Sequence, residues 1–195
     1  LHDALPISSI PVSPKFRIQI SKEDARKELG LPVDKRIILI MSGGVGCESI
    51  KPLVKKFRKY GIPEDRFYCV LAGNNAKLKE TIAKSCSSDK VQAVGFTDKV
   101  HLYLKAADVV ISKSGGLSST EVAVANVPVV HFKPIPGCET CNARFYAAKG
   151  MSKLAKNSKE ALKIAEALLG DEAEKQSMVE AQRREINAFS ADDVV

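Results

Sequence analysis

The chain has no tryptophan, only three histidines and three methionines, and an aromatic content of 6%. Surfaces that stack nucleic-acid bases need aromatic platforms set among basic residues. Neither that pattern nor a nucleic-acid-binding motif is found, so no nucleic-acid partner is expected. No apolar run approaches the roughly 20 residues of a membrane span, and no secretory signal pattern opens the chain. The cysteines are five, an odd number, and scattered, which argues against a secreted disulfide framework. Cys138 and Cys141 form a C-x-x-C without a second pair, and His101 and His131 do not fall at zinc-ligand spacing, so the motif alone carries neither zinc nor redox chemistry. There is no G-x-x-x-x-G-K-[ST], which excludes a P-loop NTPase, and no G-x-S-x-G, which leaves nucleophilic hydrolysis little support.

What is present is a basic chain of 195 residues with a net charge of +7. That length fits one domain with a real core. The charge favours anionic partners, either a phosphorylated ligand or an anionic membrane surface. Lys51, Lys55, Lys56, Arg58 and Lys59 cluster on one predicted helix, where a solvated face explains them better than a lipid contact. Leu1 to Ser8 has no capping or periodic logic and reads as a leader or linker. Ser190 to Val195 reads as a cap and acidic first turn of a helix that is not continued. The expectation is a piece of a longer protein, with a domain over residues 9–195.

Apolar β-rich runs alternate with amphipathic ones. The pattern predicts an extended stretch from Ile10 to Phe16, because X-Pro steps require it. It then predicts a helix from Ser21 to Leu29 stopped by Gly30, and a strand from Arg36 to Met41. A helix is predicted from Glu48 to Tyr60, a strand from Phe67 to Leu71 and a helix from Ala76 to Ser85. A strand from Val91 to Val94 and a helix Lys99 to Ala106 capped by Asp98 come next. Strands Asp108 to Ile111 and Val127 to Phe132 follow, then helix Thr140 to Lys149 and a weak strand at Lys153 to Ala155. The last two helices are one capped by Ser158 and one ending near Ala188. Such alternation demands crossover connections, hence a parallel α/β sheet, Rossmann-like, with helices on both faces. Ligands of that architecture lie outside the carboxyl ends of the strands. The glycine loops at Gly43, Gly95, Gly115 and Gly137 all follow strands, so all open on one edge.

The central stretch is Ile111-Ser112-Lys113-Ser114-Gly115-Gly116-Leu117-Ser118-Ser119-Thr120-Glu121: a buried strand, a tight turn and a helix start. Unpaired N–H groups and the positive end of the helix dipole suit a phosphate or diphosphate there. The two glycines leave an oxyanion room to approach, and Ser118, Ser119 and Thr120 add hydroxyl donors. Glu121 would repel a phosphate but could accept hydrogen bonds from a ribose diol. The same pattern also suits a plain capped helix with Glu121 complementing the dipole. Gly44-Val45-Gly46 after a strand invites a dinucleotide reading, but the third glycine position is Ser49 and no acid stands near Ala72, which argues against a dehydrogenase.

Ser112 to Glu121, joined to Lys133-Pro134-Ile135-Pro136-Gly137-Cys138-Glu139-Thr140-Cys141-Asn142-Ala143, resembles the C-terminal domain of glycolipid glycosyltransferases. The processive diacylglycerol glucosyltransferases and monogalactosyldiacylglycerol synthases are the nearest likeness, over about residues 9 to 195. The resemblance implies the C-terminal, nucleotide-sugar half of a GT-B fold. It implies that the Gly95-Phe96 backbone reads uracil, that Glu121 takes the ribose hydroxyls, and that Gly116, Leu117, Ser118 and Ser119 hold the diphosphate. Glu139 and Asn142 would lie near the donor sugar, and Gly43, Gly44 and Gly46 would face an interdomain cleft. Lys113, Gly115, Pro136, Gly137 and Cys138 complete the implied donor set. No metal or other cofactor is implied; the UDP-sugar is the donor substrate. The general base is expected in an N-terminal domain outside this chain, together with the lipid acceptor site. A cytoplasmic, peripheral place on the inner face of the membrane is implied.

Three positions depart from the family pattern. Cys138 replaces a common glutamine. Ser114 replaces a proline, expected to be a mild change in turn stiffness. Some relatives carry an arginine in the segment near Ser13, so one diphosphate contact is expected to be missing here. Two other readings stay open: a UDP-N-acetylglucosamine-using enzyme of the same fold, either a lipid-linked transferase or a 2-epimerase, and a UDP-sugar-binding subunit that needs a partner chain.

Overall fold

The structure, a computed structural model, describes residues 10–41, 57, 61–85, 89–132 and 136–189. The predicted helix from Glu48 to Tyr60 and the loop bearing Gly43, Gly44 and Gly46 lie outside the described residues, apart from Phe57, which is buried. A short 3-10 turn, Pro14–Arg17, precedes α1 (Lys22–Leu29) and β1 (Arg36–Met41). Then come β2 (Arg66–Gly73), α2 (Ala76–Ser85), β3 (Val91–Gly95) and α3 (Val100–Ala106). β4 (Val109–Ser112), α4 (Gly116–Val124), β5 (Val129–Phe132) and α5 (Cys138–Ala148) follow. β6 (Lys153–Ala155), α6 (Ser158–Leu168) and α7 (Glu172–Glu185) close the described fold.

The strands form one parallel sheet in the order β3-β2-β1-β4-β5-β6. This is the order of doubly wound nucleotide-binding folds, in which the chain reverses direction across the sheet between β1 and β4. Pairing aligns Val94, Leu71, Met41, Ser112, His131 and Leu154 in a row across all six strands. Every strand ends within two residues of that row.

Period-two alternation sends each strand's side chains to two cores. Ile38, Ile40, Val70, Ile111 and Phe132 pack with Leu162, Ala165 and Leu168 of α6 on one face. Ile37, Leu39, Cys69, Val110 and Val129 pack with Ala25 of α1, Leu104 of α3 and Val122 of α4 on the other. Ile38, Leu39 and Ile40 are all fully buried, each worth about 1.5–3 kcal/mol by transfer arithmetic. Burial on both faces explains why β1 reads as an unbroken apolar run rather than an alternating one.

Several local expectations are corrected. Ile10 to Phe16 is not extended throughout: Pro14 takes the first position of a 3-10 turn, and Ser13 accepts from the Lys15 N–H, a place where proline's missing donor costs nothing. Asp98 does not cap α3, whose Ncap Lys99 makes no side-chain cap; Thr97 Oγ1 accepts the Lys99 N–H instead, at 3.1 Å. Asn157, not Ser158, caps α6, taking the Glu160 N–H at 3.0 Å. Ser21 and Gly30 bound α1 as predicted, with Gly30 left-handed at φ 64°, the backbone conformation that favours glycine at a helix stop.

Candidate functional site

The site is built from the two turns that leave β4 and β5. β4 is buried along its length, and Ser112 Oγ donates to the Lys113 carbonyl at 3.0 Å. Helix α4 begins at Gly116 behind Gly115, an extended Ncap that offers no side chain to the helix. The first intrahelical bond runs from the Ser119 N–H to the Gly115 carbonyl at 2.9 Å. The N–H groups of Gly116, Leu117 and Ser118 therefore have no acceptor among the described residues. A Cβ at Gly115 would meet open space, so the approach to these donors is clear. Gly116 is a glycine for a second reason: a Cβ there would lie 2.7 Å from Ile10 Cδ1 and 3.7 Å from Asn142 Nδ2.

Two hydroxyls assigned to the anion turn away from it. Ser119 is fully buried and its Oγ lies 3.2 Å from His131 Nε2. Thr120 Oγ1 donates to the Gly116 carbonyl at 2.9 Å and meets the Tyr146 hydroxyl at 3.3 Å. Ser119 thus has neither a free hydroxyl nor a free N–H to offer a diphosphate. Helical periodicity is the cause: Ser119, Thr120, Val122 and Ala123 fall on the buried side of α4. Burial pushes His131 down to about 4, so the imidazole beside Ser119 is neutral at pH 7. Ser118, half-buried, is the hydroxyl left on the outer side.

Glu121 shares that outer side with Leu117 and Ser118, four and three residues before it. Leu117 is 51% exposed. Glu121 is half-buried, and its carboxylate takes no hydrogen bond or ion pair among the described residues. Burial pushes its pKa up, as expected for a carboxylate drawn from water without a partner. The Lys113 ammonium, also half-buried, likewise forms no ion pair among the described residues. One turn therefore presents three N–H donors, a cation, a hydroxyl and an acceptor.

Helix α5 starts the same way. Its Ncap Gly137, at φ 102° and with open space where a Cβ would stand, gives no side-chain cap. The Thr140 and Cys141 N–H groups return to the Gly137 carbonyl at 3.0 and 3.2 Å. Pro136, Gly137, Cys138 and Cys141 are exposed, while Glu139 and Asn142 are half-buried. Two bonds join the turns: Ser114 Oγ donates to the Glu139 carbonyl at 2.6 Å, and Asn142 Nδ2 donates to the Ser114 carbonyl at 3.1 Å. Ser114 is therefore the tie between two helix starts and not a mild adjustment of turn stiffness. Sequence reasoning missed it because its partner lies 25 residues away, and only the buried hydroxyl of a turn residue hints at it.

Phe96 lies at the end of β3, 78% exposed, on the same edge. Lys79 of α2 approaches the neighbouring Gly95, with Nζ 3.9 Å from where a Cβ would stand there. β3 and β4 are separated by two strands, hence by roughly 14 Å at the usual inter-strand spacing. That span is comparable with an extended nucleoside diphosphate. The sequence-assigned residues from Lys113 to Glu121 and from Pro136 to Asn142 are thus brought together, with Phe96 across the edge. No group of three or more His, Cys, Asp or Glu side chains suited to a metal ion occurs among the described residues. No helix among them is long and apolar enough to cross a membrane.

Comparisons with known proteins bear on the family and the fold. The family described as Glycosyl transferases group 1 matches residues 21–185. A processive diacylglycerol beta-glucosyltransferase of Bacillus pumilus is 29% identical over 175 residues, covering 88% of this chain and 45% of that protein. Among solved structures, MurG of Acinetobacter baumannii aligns with a TM-score of 0.66 at 21% identity, over 99% of this chain and 56% of that one. A complex of S. aureus MnaA with UDP aligns with a TM-score of 0.64 at 20% identity, over 91% of this chain and 47% of that one. The chain spans about half the length of the curated relatives it matches. The sheet is the Rossmann-like fold of GT-B glycosyltransferases, and the chain belongs to the glycosyl transferases group 1 family.

Proposed function

We propose that this chain is the donor-binding half of an inverting hexosyltransferase that moves a sugar from a UDP-sugar to a diacylglycerol-type lipid. One observation carries the reading: the bare start of α4, beside the point where strand order reverses, stands next to an unpartnered Glu121. Three converging N–H groups and the helix dipole match a diphosphate. The same donors stabilise that diphosphate as it leaves, when negative charge grows on it. Glu121 accepts the two ribose hydroxyls, and the exposed Gly95-Phe96 end receives the base. Glu139 and Asn142 at the head of α5 lie toward the sugar. The relative from Bacillus pumilus bears the name of a diacylglycerol glucosyltransferase, and the MnaA structure holds UDP on a similar fold; both support this reading.

The acceptor hydroxyl attacks the anomeric carbon with help from a general base. That base and the lipid site belong to the rest of the protein, which works at the inner membrane surface. The test is turnover by the full-length protein on diacylglycerol vesicles with UDP-glucose and UDP-galactose in turn. Glycolipid and free UDP are expected from one of the two. No glycolipid from either, with UDP-N-acetylglucosamine converted to its 2-epimer, would replace this reading with an isomerase.

A further inference from the structure

Cys138 and Cys141 occupy the first turn of α5, at its first and fourth positions. Both are free thiols and both are exposed. Residues three apart on a helix lie on one face with Cβ atoms about 5–6 Å apart, and a disulfide needs them at about 3.5–4.5 Å. Closing the bond therefore requires only a small contraction of this turn. The Thr140 and Cys141 N–H groups of this turn share the Gly137 carbonyl, and its Ncap glycine offers no side chain. The residues between and beside the cysteines tie α5 to α4 through Ser114, by way of the Glu139 carbonyl and the Asn142 amide. A contraction at Cys138–Cys141 thus pulls on the turn that presents the three N–H donors.

We infer that Cys138 and Cys141 form a reversible oxidation site whose disulfide weakens donor binding at α4; the effect on binding rests on the donor reading above, while the bond itself does not. The oxidant is a low-molecular-weight disulfide. One cysteine thiolate attacks it, forming a mixed disulfide and releasing one small thiolate. The second cysteine thiolate attacks the first sulfur, closing the intrachain S–S bond and releasing the other small thiolate. Two protons and two electrons leave the cysteine pair, and the oxidant becomes two thiols. Cys69 takes no part: it is fully buried and burial pushes its thiol up to about 12. Cys47 and Cys86 lie outside the described residues, so the bond must be assigned by mapping.

The experiment incubates the folded full-length protein with glutathione disulfide, maps peptides, and titrates UDP before oxidation, after it, and after reduction with dithiothreitol. The tryptic segment carrying Cys138 and Cys141 contains no other cysteine, and it should emerge lighter by two hydrogens. UDP should bind the oxidised protein about tenfold more weakly, the scale of one or two displaced hydrogen bonds, and reduction should restore it. Cys141→Ser should bind UDP and lose the response to oxidation. Mixed glutathione adducts without the internal bond, or a mapped bond that leaves UDP affinity unchanged, would overturn the inference. A reduced protein that fails to bind UDP would overturn the donor reading, while the mapped segment would still decide whether the oxidation site exists.

Discussion

The two ends of β4 handle polarity in opposite ways. At its start, Asp108 accepts the Ile37 N–H at 2.7 Å, Arg26 at 2.8 Å and Lys22 at 2.5 Å. Arg26, itself buried, also donates to the carbonyls of Ala106, Val33 and Lys35. At its end, three N–H groups, Lys113 and Glu121 are left without protein partners among the described residues. Caps follow the same division. Ser21, Asn75, Asn157 and Asp171 cap α1, α2, α6 and α7 with side chains, whereas α4 and α5 start behind bare glycines. Helix α3 also lacks a side-chain cap, but α4 and α5 begin behind glycines, and the bare start of α4 leaves room for a ligand to complete its hydrogen bonding.

The contrast can be broken from either end. The largest effect is expected at the satisfied end. Arg26→Ala leaves mostly buried Asp108 with Lys22 as its remaining cation and takes the shared donor from the Ala106, Val33 and Lys35 carbonyls, which should cost about 3–5 kcal/mol of stability in urea unfolding. A loss below about 1 kcal/mol would show that the cluster behaves like a surface pair. Burial raises the Asp108 pKa, but the Lys22 and Ile37 hydrogen bonds and Arg26 outweigh it and hold the carboxyl below its ordinary value. A depressed acid adds stability above its unfolded pKa and loses it as pH falls through the folded one. This network should therefore fail only on strong acidification, below the usual carboxylate range.

A second, smaller effect separates at higher pH. His131 is held at about 4 against an ordinary 6.5. The unfolded chain takes up a proton below 6.5 that the fold refuses until about 4, so stability falls with pH across that window, by about 3 kcal/mol in total. His131→Phe should remove this part of the slope. An unchanged slope between pH 6.5 and pH 4 would place the titration elsewhere.

The smallest effect on stability, and the sharpest on the contrast, comes from converting the open end into a satisfied one. Gly115→Asp supplies the missing cap in open space. Folding should gain a few tenths of a kcal/mol, while UDP binding should weaken about tenfold or more because the new carboxylate takes a donor and repels the diphosphate. Unaltered UDP affinity in a stabilised variant would mean that the donors at α4 are not the anion site.

Much of this was legible in the chain because the signals are local. The β-rich run Arg36 to Met41, the Ser21 cap and the Gly30 stop each depend on a few neighbouring residues, and so does the strand–glycine–helix pattern around Gly115. What sequence reading got wrong depended on which way a helix turns in space. Ser119 and Thr120 look like Ser118 in a string, but 100° per residue places them against His131 and Tyr146. Ser114 could be read as a weaker proline until the Glu139 carbonyl stood beside it. Asp98 lost its capping role to Thr97, one residue earlier, a shift below the precision of cap assignment from sequence.

The central claim is that Glu121 holds a ribose while the start of α4 holds the diphosphate. Calorimetric titration of UDP and of its 2′,3′-dideoxy analogue against wild type and Glu121→Gln tests it most directly. Wild type should prefer UDP by about 10–100-fold, the scale of hydrogen bonds to a charged acceptor, and Glu121→Gln should bind the two alike. A wild type that does not distinguish them, or a variant that keeps the full preference, would contradict it.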